Sequence, residues 1–351
     1  ASDERSAILH MTGREFVRNQ AIERFHDVGP DQGIAHQLVA DFGYALPGTV
    51  LVCVDSHTCS GGAFNCAARG IGGPEMVYVL AMGKTWFRVG ETVRYEFQGA
   101  LPPVLNAKDI IIHIANTYGD HATQNVEYAG PGAANMSLNA RRTLSTMSAE
   151  ISAEFATFEA DELCQAHVRA RTKRPFEAQF PDPDAHYADV RSIDLSALEP
   201  LVAYPDTIVK NGRPVREAAG ERVDQAFIGS CANGTLDDLE IAARIVRGRR
   251  VDPRVRFLVT PGSQSIYREA LRRGYIADLM DAGAVVTAST CGACAGLSVG
   301  ALGPGERCIT ASTRNYKGRM GSQDAEIFLA SPATVAATAI RGTITDPREF
   351  L

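Results

Sequence analysis

The sequence has few of the features that place a protein in a membrane, outside the cell or on nucleic acid. No apolar run approaches the roughly 18–20 residues that a membrane-spanning helix needs, and the start lacks the basic and apolar regions of a signal peptide. Basic residues are outnumbered, because 35 Lys and Arg face 41 Asp and Glu and the formal net charge is −6. We therefore expect a cytoplasmic protein that binds neither membranes nor nucleic acid.

Disulfide bonds are also not expected, although the chain has eight cysteines. In a chain of 351 residues without a secretion signal, cysteines more often bind metals or act in catalysis. A single cysteine is commonly a buried free thiol. Cys53 and Cys308 lie in apolar, strand-like runs and are predicted to be of that kind.

Short β-branched runs alternate with helical patterns, which predicts an α/β fold with parallel sheets. Thr235 with Asp238 resembles a helix-capping signal, Gly283 is expected to end a helix, and Pro332 to begin the last one. The Pro- and Asp-rich segment 180–215 is interpreted as a linker between two units. The predicted strands are 49–55, 225–230, 255–260, 284–287 and 307–312.

Several of these strands end in turns that carry reactive side chains. Ligands of doubly wound sheets bind at the carboxyl ends of the strands. The coincidence therefore predicts one shared site. The turns are Asp55-Ser56-His57-Thr58, the segment 229–234 around Cys231, Cys291-Gly292-Ala293-Cys294, and a segment near Arg314 and Arg319.

Cys291 and Cys294 form a C-x-x-C pair, and Cys231 also follows a predicted strand directly. Three thiolates brought together suit an iron–sulfur cluster or zinc. A four-iron cluster with three protein thiolates would keep one iron open as a Lewis acid. The spacing alone leaves a cluster, zinc and the absence of a metal all open.

Longer motifs carry a resemblance to a known family. The segments VDSHTCSGGAF, IGSCANG, TCGACAG and STRNYKGRMGS, in this order, resemble the motif series of the aconitase family. GKTWFRVGET and ITDPREFL are similar to large subunits of two-subunit family members that act on 3-isopropylmalate or homoaconitate. The resemblance implies an aconitase-like core of three α/β/α domains at 1–90, 91–195 and 196–351. It implies that the first domain is N-terminally incomplete and that the swivel domain is absent.

The resemblance also implies site residues. A [4Fe-4S] cluster would be held by Cys231, Cys291 and Cys294. The implied proton-transfer residues are Asp55, His57, His36 and Glu127, and Glu127 is expected to pair with a His. The implied substrate-binding residues are Ser56, Arg314 and Arg319. Ser56 would form a hydrogen bond with the substrate, and the two arginines would clamp its carboxylates, since guanidinium groups pair bidentately with carboxylates.

The implied activity is a hydro-lyase reaction on a hydroxy-dicarboxylate, foremost the isomerisation of 2-/3-isopropylmalate. The family's catalytic serine motif is not found, so a small swivel-domain subunit is expected to supply the serine base. Thr313, Ala232 and Ala295 depart from the family's usual residues near the site. Alternative substrates are maleate, citraconate, dimethylmalate and homoaconitate, and an alternative of another class is a non-catalytic or RNA-binding protein of this type.

Overall fold

The computed structural model describes residues 3–296 and 299–350. Its strands arise where β-branched and aromatic residues cluster in short runs, as the sequence predicts. The strands are β1 (Val50–Cys53), β2 (Ala67–Gly70), β3 (Thr92–Gln98), β4 (Asn125–Ala129), β5 (Ala156–Phe158), β6 (Asp189–Asp194), β7 (Leu201–Ala203), β8 (Gly212–Pro214), β9 (Gln225–Ile228), β10 (Arg256–Val259), β11 (Val285–Val286), β12 (Arg307–Thr310) and β13 (Glu326–Ala330).

These strands form three sheets that follow one another along the chain. The first pairs β1 with β2 in parallel, and the second has four parallel strands in the order β5-β4-β3-β6. The third has seven strands in the order β11-β10-β9-β12-β13-β7-β8, in which β7 runs antiparallel to both of its neighbours. The predicted α/β class with parallel sheets is confirmed.

The interpretation of segment 180–215 as a linker is wrong. β6 pairs with β3 inside the second sheet, and β7 and β8 form the antiparallel edge of the third. β7 and β8 have three residues each. The Pro- and Asp-rich turns around such short strands dominate the local composition and hide the strands.

Three helix ends lie at the signals that the sequence predicts. Thr235 and Asp238 form a reciprocal capping box, Gly283 ends a helix in a left-handed conformation, and Pro332 follows the capping residue Ser331. The α-helices in the described ranges are α1 (Glu4–Asn19), α2 (Ala35–Asp41), α3 (Gly73–Met82), α4 (Ala107–Tyr118), α5 (Gly130–Ala134), α6 (Leu138–Met147), α7 (Glu162–Arg169), α8 (Val215–Ala218), α9 (Ser230–Asn233), α10 (Leu236–Val246), α11 (Gln264–Arg272), α12 (Tyr275–Ala282) and α13 (Pro332–Arg341).

One apolar core joins the second and third sheets. Tyr95 of β3, Ile111 of α4, Ala203 of β7 and Leu329 of β13 are completely buried in the same cluster. Such continuous packing fixes the two sheets relative to each other, and with them the loops at their strand ends. Across the described residues, we find no helix that is both long and apolar enough to cross a membrane.

Candidate active site

The predicted reactive turns lie directly after four strands. Asp55 follows β1, Cys231 lies in α9 after β9, Cys291 follows β11, and Arg314 follows β12. Ser230, just before Cys231, has a φ of 71°, which is rare for a residue with a Cβ. Strain of this kind persists where the surrounding fold enforces it and is common at functional sites.

Asp55 links two histidines. Its Oδ1 atom lies 2.8 Å from His36 Nε2 and accepts a 2.8 Å hydrogen bond from the His57 backbone N–H. Burial opposes ionisation of Asp55, but the hydrogen bonds from His36 and His57 outweigh it and hold the pKa of the carboxyl well below its usual range. Asp55 is therefore a carboxylate at neutral pH, placed between two groups that exchange protons.

His57 is buried between two acids. Its Nε2 lies 2.7 Å from Glu150 Oε1, and its Nδ1 lies 3.6 Å from Asp55 Oδ1. Burial opposes protonation of the ring, but the negative charge of Cys231 and the bonds to Asp55 and Glu150 keep the pKa of His57 above its ordinary value. The imidazole is thus stabilised in the form that can donate a proton.

Glu150 is the site residue that sequence reasoning missed. Besides His57, it binds Arg314, whose Nε donates to the same Oε1 atom at 2.8 Å. The available signal was its isolation, because Glu150 is the only charged residue in the segment 143–153. An acid in a stretch otherwise free of charge needs a specific partner, since an unpaired buried carboxylate is costly.

The pairing expected for Glu127 is wrong. Glu127 lies on β4, where it pairs with Arg94 and accepts a 3.0 Å hydrogen bond from Tyr187 Oη. Neither partner is a histidine, and none of the other predicted site residues contacts it. The acid partner of His57 is Glu150 instead.

The three predicted cysteine ligands lie on neighbouring loops with different exposure. Cys294 is buried, Cys231 is half-buried and Cys291 is exposed. Although Cys291 as a residue is exposed, desolvation of its thiol group, together with the effects of Cys231 and Cys294, raises the pKa of Cys291 to about 11, so the three thiols are close enough to influence one another. In the described ranges, no set of three or more His, Cys, Asp or Glu side chains is arranged around a single metal ion.

The two predicted arginines contact different parts of the site. Arg314 Nη2 donates to Ser56 Oγ at 2.8 Å, which ties it to the turn after β1. Arg319 Nη2 lies 3.4 Å from Cys294 Sγ. Its Nε is buried and has no hydrogen-bond partner among the residues described. Burial opposes ionisation of the Cys294 thiol, but donation from Arg319 outweighs it and lowers the pKa of that thiol.

The two cysteines predicted to be buried free thiols differ from each other. Cys308 is buried and free on β12, whereas Cys53, also free, is only partly buried at the end of β1. Thr313, a departure from the family pattern, places Oγ1 3.7 Å from Cys294 Sγ and so touches the thiol group directly.

Known proteins match this chain along most of its length. The Aconitase family (aconitate hydratase) matches residues 13–221 and 209–342. The 3-isopropylmalate dehydratase large subunit of Mycolicibacterium smegmatis is 55% identical over 338 residues, which cover 96% of this chain and 80% of that protein. The probable 3-isopropylmalate dehydratase large subunit of Methanothermobacter thermautotrophicus is 44% identical over 96% of this chain and 80% of its own length. On these matches, the chain belongs to the aconitase family.

Proposed function

We propose that the chain is the large subunit of a [4Fe-4S]-dependent hydro-lyase that isomerises 2-/3-isopropylmalate or a close hydroxy-dicarboxylate analogue. The observation that carries the proposal is the meeting of three chemistries at one set of strand ends. His57 contacts Asp55 and Glu150, and Cys231 acts on it electrostatically. Arg314 contacts Glu150, and Arg319 contacts Cys294. The curated relatives are named for this dehydratase.

The donor set fits a cluster. Cys231, Cys291 and Cys294 are thiol ligands, which iron–sulfur clusters prefer. Each thiolate of a cluster binds a different iron, so its ligands need not converge on one ion as they would around zinc. Once bound, the cluster would supply an open Lewis-acidic iron for the substrate hydroxyl and carboxylate.

The protein's own residues would move the proton. His57 is held in its protonated form by acids on both sides, and would donate to the hydroxyl that leaves the substrate. Asp55 orients His57 by accepting a hydrogen bond from its backbone N–H, and Asp55 also contacts the His36 ring. His36 would therefore return the proton to the relay after turnover.

The arginines and Ser56 would position the substrate. Arg319 is half-buried with its guanidinium beside Cys294, so it would pair with a carboxylate of a substrate bound at the cysteines. Arg314 is already fixed by Glu150 and Ser56, which leaves its guanidinium oriented before the substrate arrives. Such pre-organisation favours the bidentate geometry that carboxylates prefer.

A base is still required on the substrate face opposite the leaving hydroxyl. The relatives' names contain the words large subunit, which supports a small partner subunit for this chain as well. We propose that this partner supplies a serine base and closes over Asp55, Cys294 and Arg319. The cytoplasmic location and the three-domain division stay predictions.

A substrate panel on the anaerobically reconstituted chain, with and without the small subunit, tests the proposal. We expect turnover of an isopropylmalate only when both subunits are present. Preference for maleate, citraconate, dimethylmalate or homoaconitate would keep the reaction class and change the substrate. Full turnover by this chain alone would refute the split site, and inactivity of the pair on every substrate would favour a non-catalytic role.

A further inference from the structure

Two fully buried cations lie behind the site without a direct acidic partner. Lys108, on the first turn of α4, has no exposed surface, and Arg142, on α6, is 2% exposed. Neither forms an ion pair with any carboxylate among residues 3–296 and 299–350. Buried charges are normally paired because the protein interior solvates them poorly. These two therefore need a counter-charge.

Lys108 donates to the backbone of the loop that carries the substrate arginine. Its Nζ lies 2.8 Å from the Ser312 carbonyl oxygen and 3.3 Å from Met147 Sδ. Burial lowers the pKa of Lys108 to about 8, so the ammonium remains mostly protonated at neutral pH. The negative charges that act on it from a distance are those of Asp238, Cys231, Glu150 and Cys294.

Arg142 is held even more loosely. Its guanidinium donates to the His36 carbonyl oxygen and to Asn139 Oδ1, both at 3.4 Å, and its Nε has no partner among the described residues. Adjacent Arg141 is equally buried but contacts Asp161. Thr143, the residue after Arg142, donates to the carbonyl oxygen of Ala232 at 2.8 Å, directly beside Cys231. The acidic groups that act on Arg142 from a distance are Asp41, Asp238, Cys231 and Asp237.

Cys231 and Asp238 are the two groups that act on both cations. Asp238 already accepts hydrogen bonds from Asn233, from the Thr235 backbone and from the Thr235 hydroxyl. The oxygens of Asp238 are thus already engaged, and Asp238 forms no ion pair with either cation among the described residues. Cys231 is the other group that both cations share.

We propose that Lys108 and Arg142 are positioning residues whose shared counter-charge is the anionic thiolate-bound cluster held by Cys231, Cys291 and Cys294. The inference rests on the proposed function. Three thiolates carry more negative charge than the resting core carries positive charge, so the bound group is an anion. The two cations then stabilise it through space, and more strongly still after it gains an electron. Through Ser312 and His36, they also fix one arginine loop and one end of the relay.

The test is the midpoint potential of the reconstituted cluster, followed by electron paramagnetic resonance during a redox titration. Lys108→Met and Arg142→Met each remove a positive charge, so each should shift the potential to a more negative value, and the double variant should shift it further. Lys108→Arg keeps the charge and should restore it. Lys210→Met is the matched control, because Lys210 also donates to a backbone carbonyl, that of Thr117, but is exposed.

A second measurement compares thermal unfolding with and without the cluster. If the cations compensate the cluster, Lys108→Met should lower the melting temperature of the loaded protein more than that of the cluster-free protein. A purely structural role would lower both equally and leave the potential unchanged.

The outcomes separate the two proposals. If wild-type protein assembles no cluster, the proposed function fails and this inference falls with it. If wild-type protein assembles a cluster whose potential is the same in both methionine variants, the inference alone is overturned. Should Lys108→Met fail to fold, Arg142→Met carries the same prediction.

Discussion

Two walls of the site are supported in different ways. The relay wall consists of Asp55, Ser56 and His57 together with His36. Its turn lies between the two strands of the smallest sheet, and the next α-helix, α3, has no buried residue. The thiol wall, Cys231, Cys291 and Cys294, follows strands of the seven-stranded sheet, where β9 is buried along its whole length. The large sheet supports the thiol wall through its own packing, whereas the relay wall, on the small sheet, needs contacts from residues across the site.

The relay wall is supported by contacts with the second sheet and with residues outside the first sheet. The turn 56–64 packs so closely on the second sheet that a Cβ added to Gly62 would lie 1.7 Å from the Ala156 carbonyl oxygen. Glu150 and Arg314 then bind His57 and Ser56 from outside the first sheet. The comparison teaches that the relay depends on cross-site hydrogen bonds and the thiols on backbone packing.

The largest expected effect comes from removing a ligand of the thiol wall. Cys291→Ser should abolish the broad visible absorption of the anaerobically reconstituted protein, because a serine hydroxyl is a poor substitute for a soft thiolate. Cys53→Ser is the control, since Cys53 lies at the end of β1 and is only partly buried. A colourless wild-type protein holding stoichiometric zinc would contradict the assignment.

Removing Glu150 should break the relay wall and spare the thiol wall. Glu150→Gln takes away the negative charge that stabilises protonated His57 and anchors Arg314, so turnover should fall on the order of 10²–10⁴-fold. The visible absorption of the cluster should remain. Glu127→Gln is the matched control on β4 and should leave kcat/KM unchanged. Equal losses in the two variants would reinstate Glu127 and refute the correction.

The clamp is expected to show a smaller effect. Arg319→Lys keeps the charge but loses the planar pair of donors. The transition-state stabilisation measured by kcat/KM should therefore fall by about 1.5–3 kcal/mol. Arg216→Lys, in a surface pair with Glu199, should change nothing measurable. Kinetics of Arg319→Lys indistinguishable from those of the wild type would remove Arg319 from the site.

The smallest effect is expected on α3, the exposed helix that follows the relay wall in the chain. Leu80 of α3 is 65% exposed, so Leu80→Ala should change the free energy of unfolding by no more than about 0.5 kcal/mol. Leu329→Ala, at a completely buried position of β13, should cost about 2–5 kcal/mol. Chemical denaturation measures both. A loss at Leu80 as large as that at Leu329 would erase the contrast between the two regions.

The sequence predicted the parts of this architecture that depend on local signals. β9 is buried along its whole length and β10 is buried after Arg256, and the capping residues Thr235 and Asp238 act within one helical turn. The turns after these strands follow from the same pattern, which predicts that the cysteines and Asp55 lie at strand ends, whereas their roles are implied by the resemblance.

The rest depends on contacts between residues far apart in the chain. Glu150 and His57 are 93 positions apart, and only the packing of two units brings them together. Lys108 and Ser312 are 204 positions apart. β7 is defined by its pairing with β13, and β8 by its pairing with β7, rather than by their own composition. Such long-range pairings leave no periodic trace in a single sequence.

The central claim is that both walls meet around one cluster, and a substrate titration of the reconstituted two-subunit protein tests it most directly. The electron paramagnetic resonance spectrum of the reduced cluster should change as isopropylmalate is added. In Arg319→Lys the same change should need a higher substrate concentration, because the carboxylate clamp is weakened. A spectrum that stays unchanged at saturating substrate would show that the cluster and the substrate site are separate, and would contradict the account.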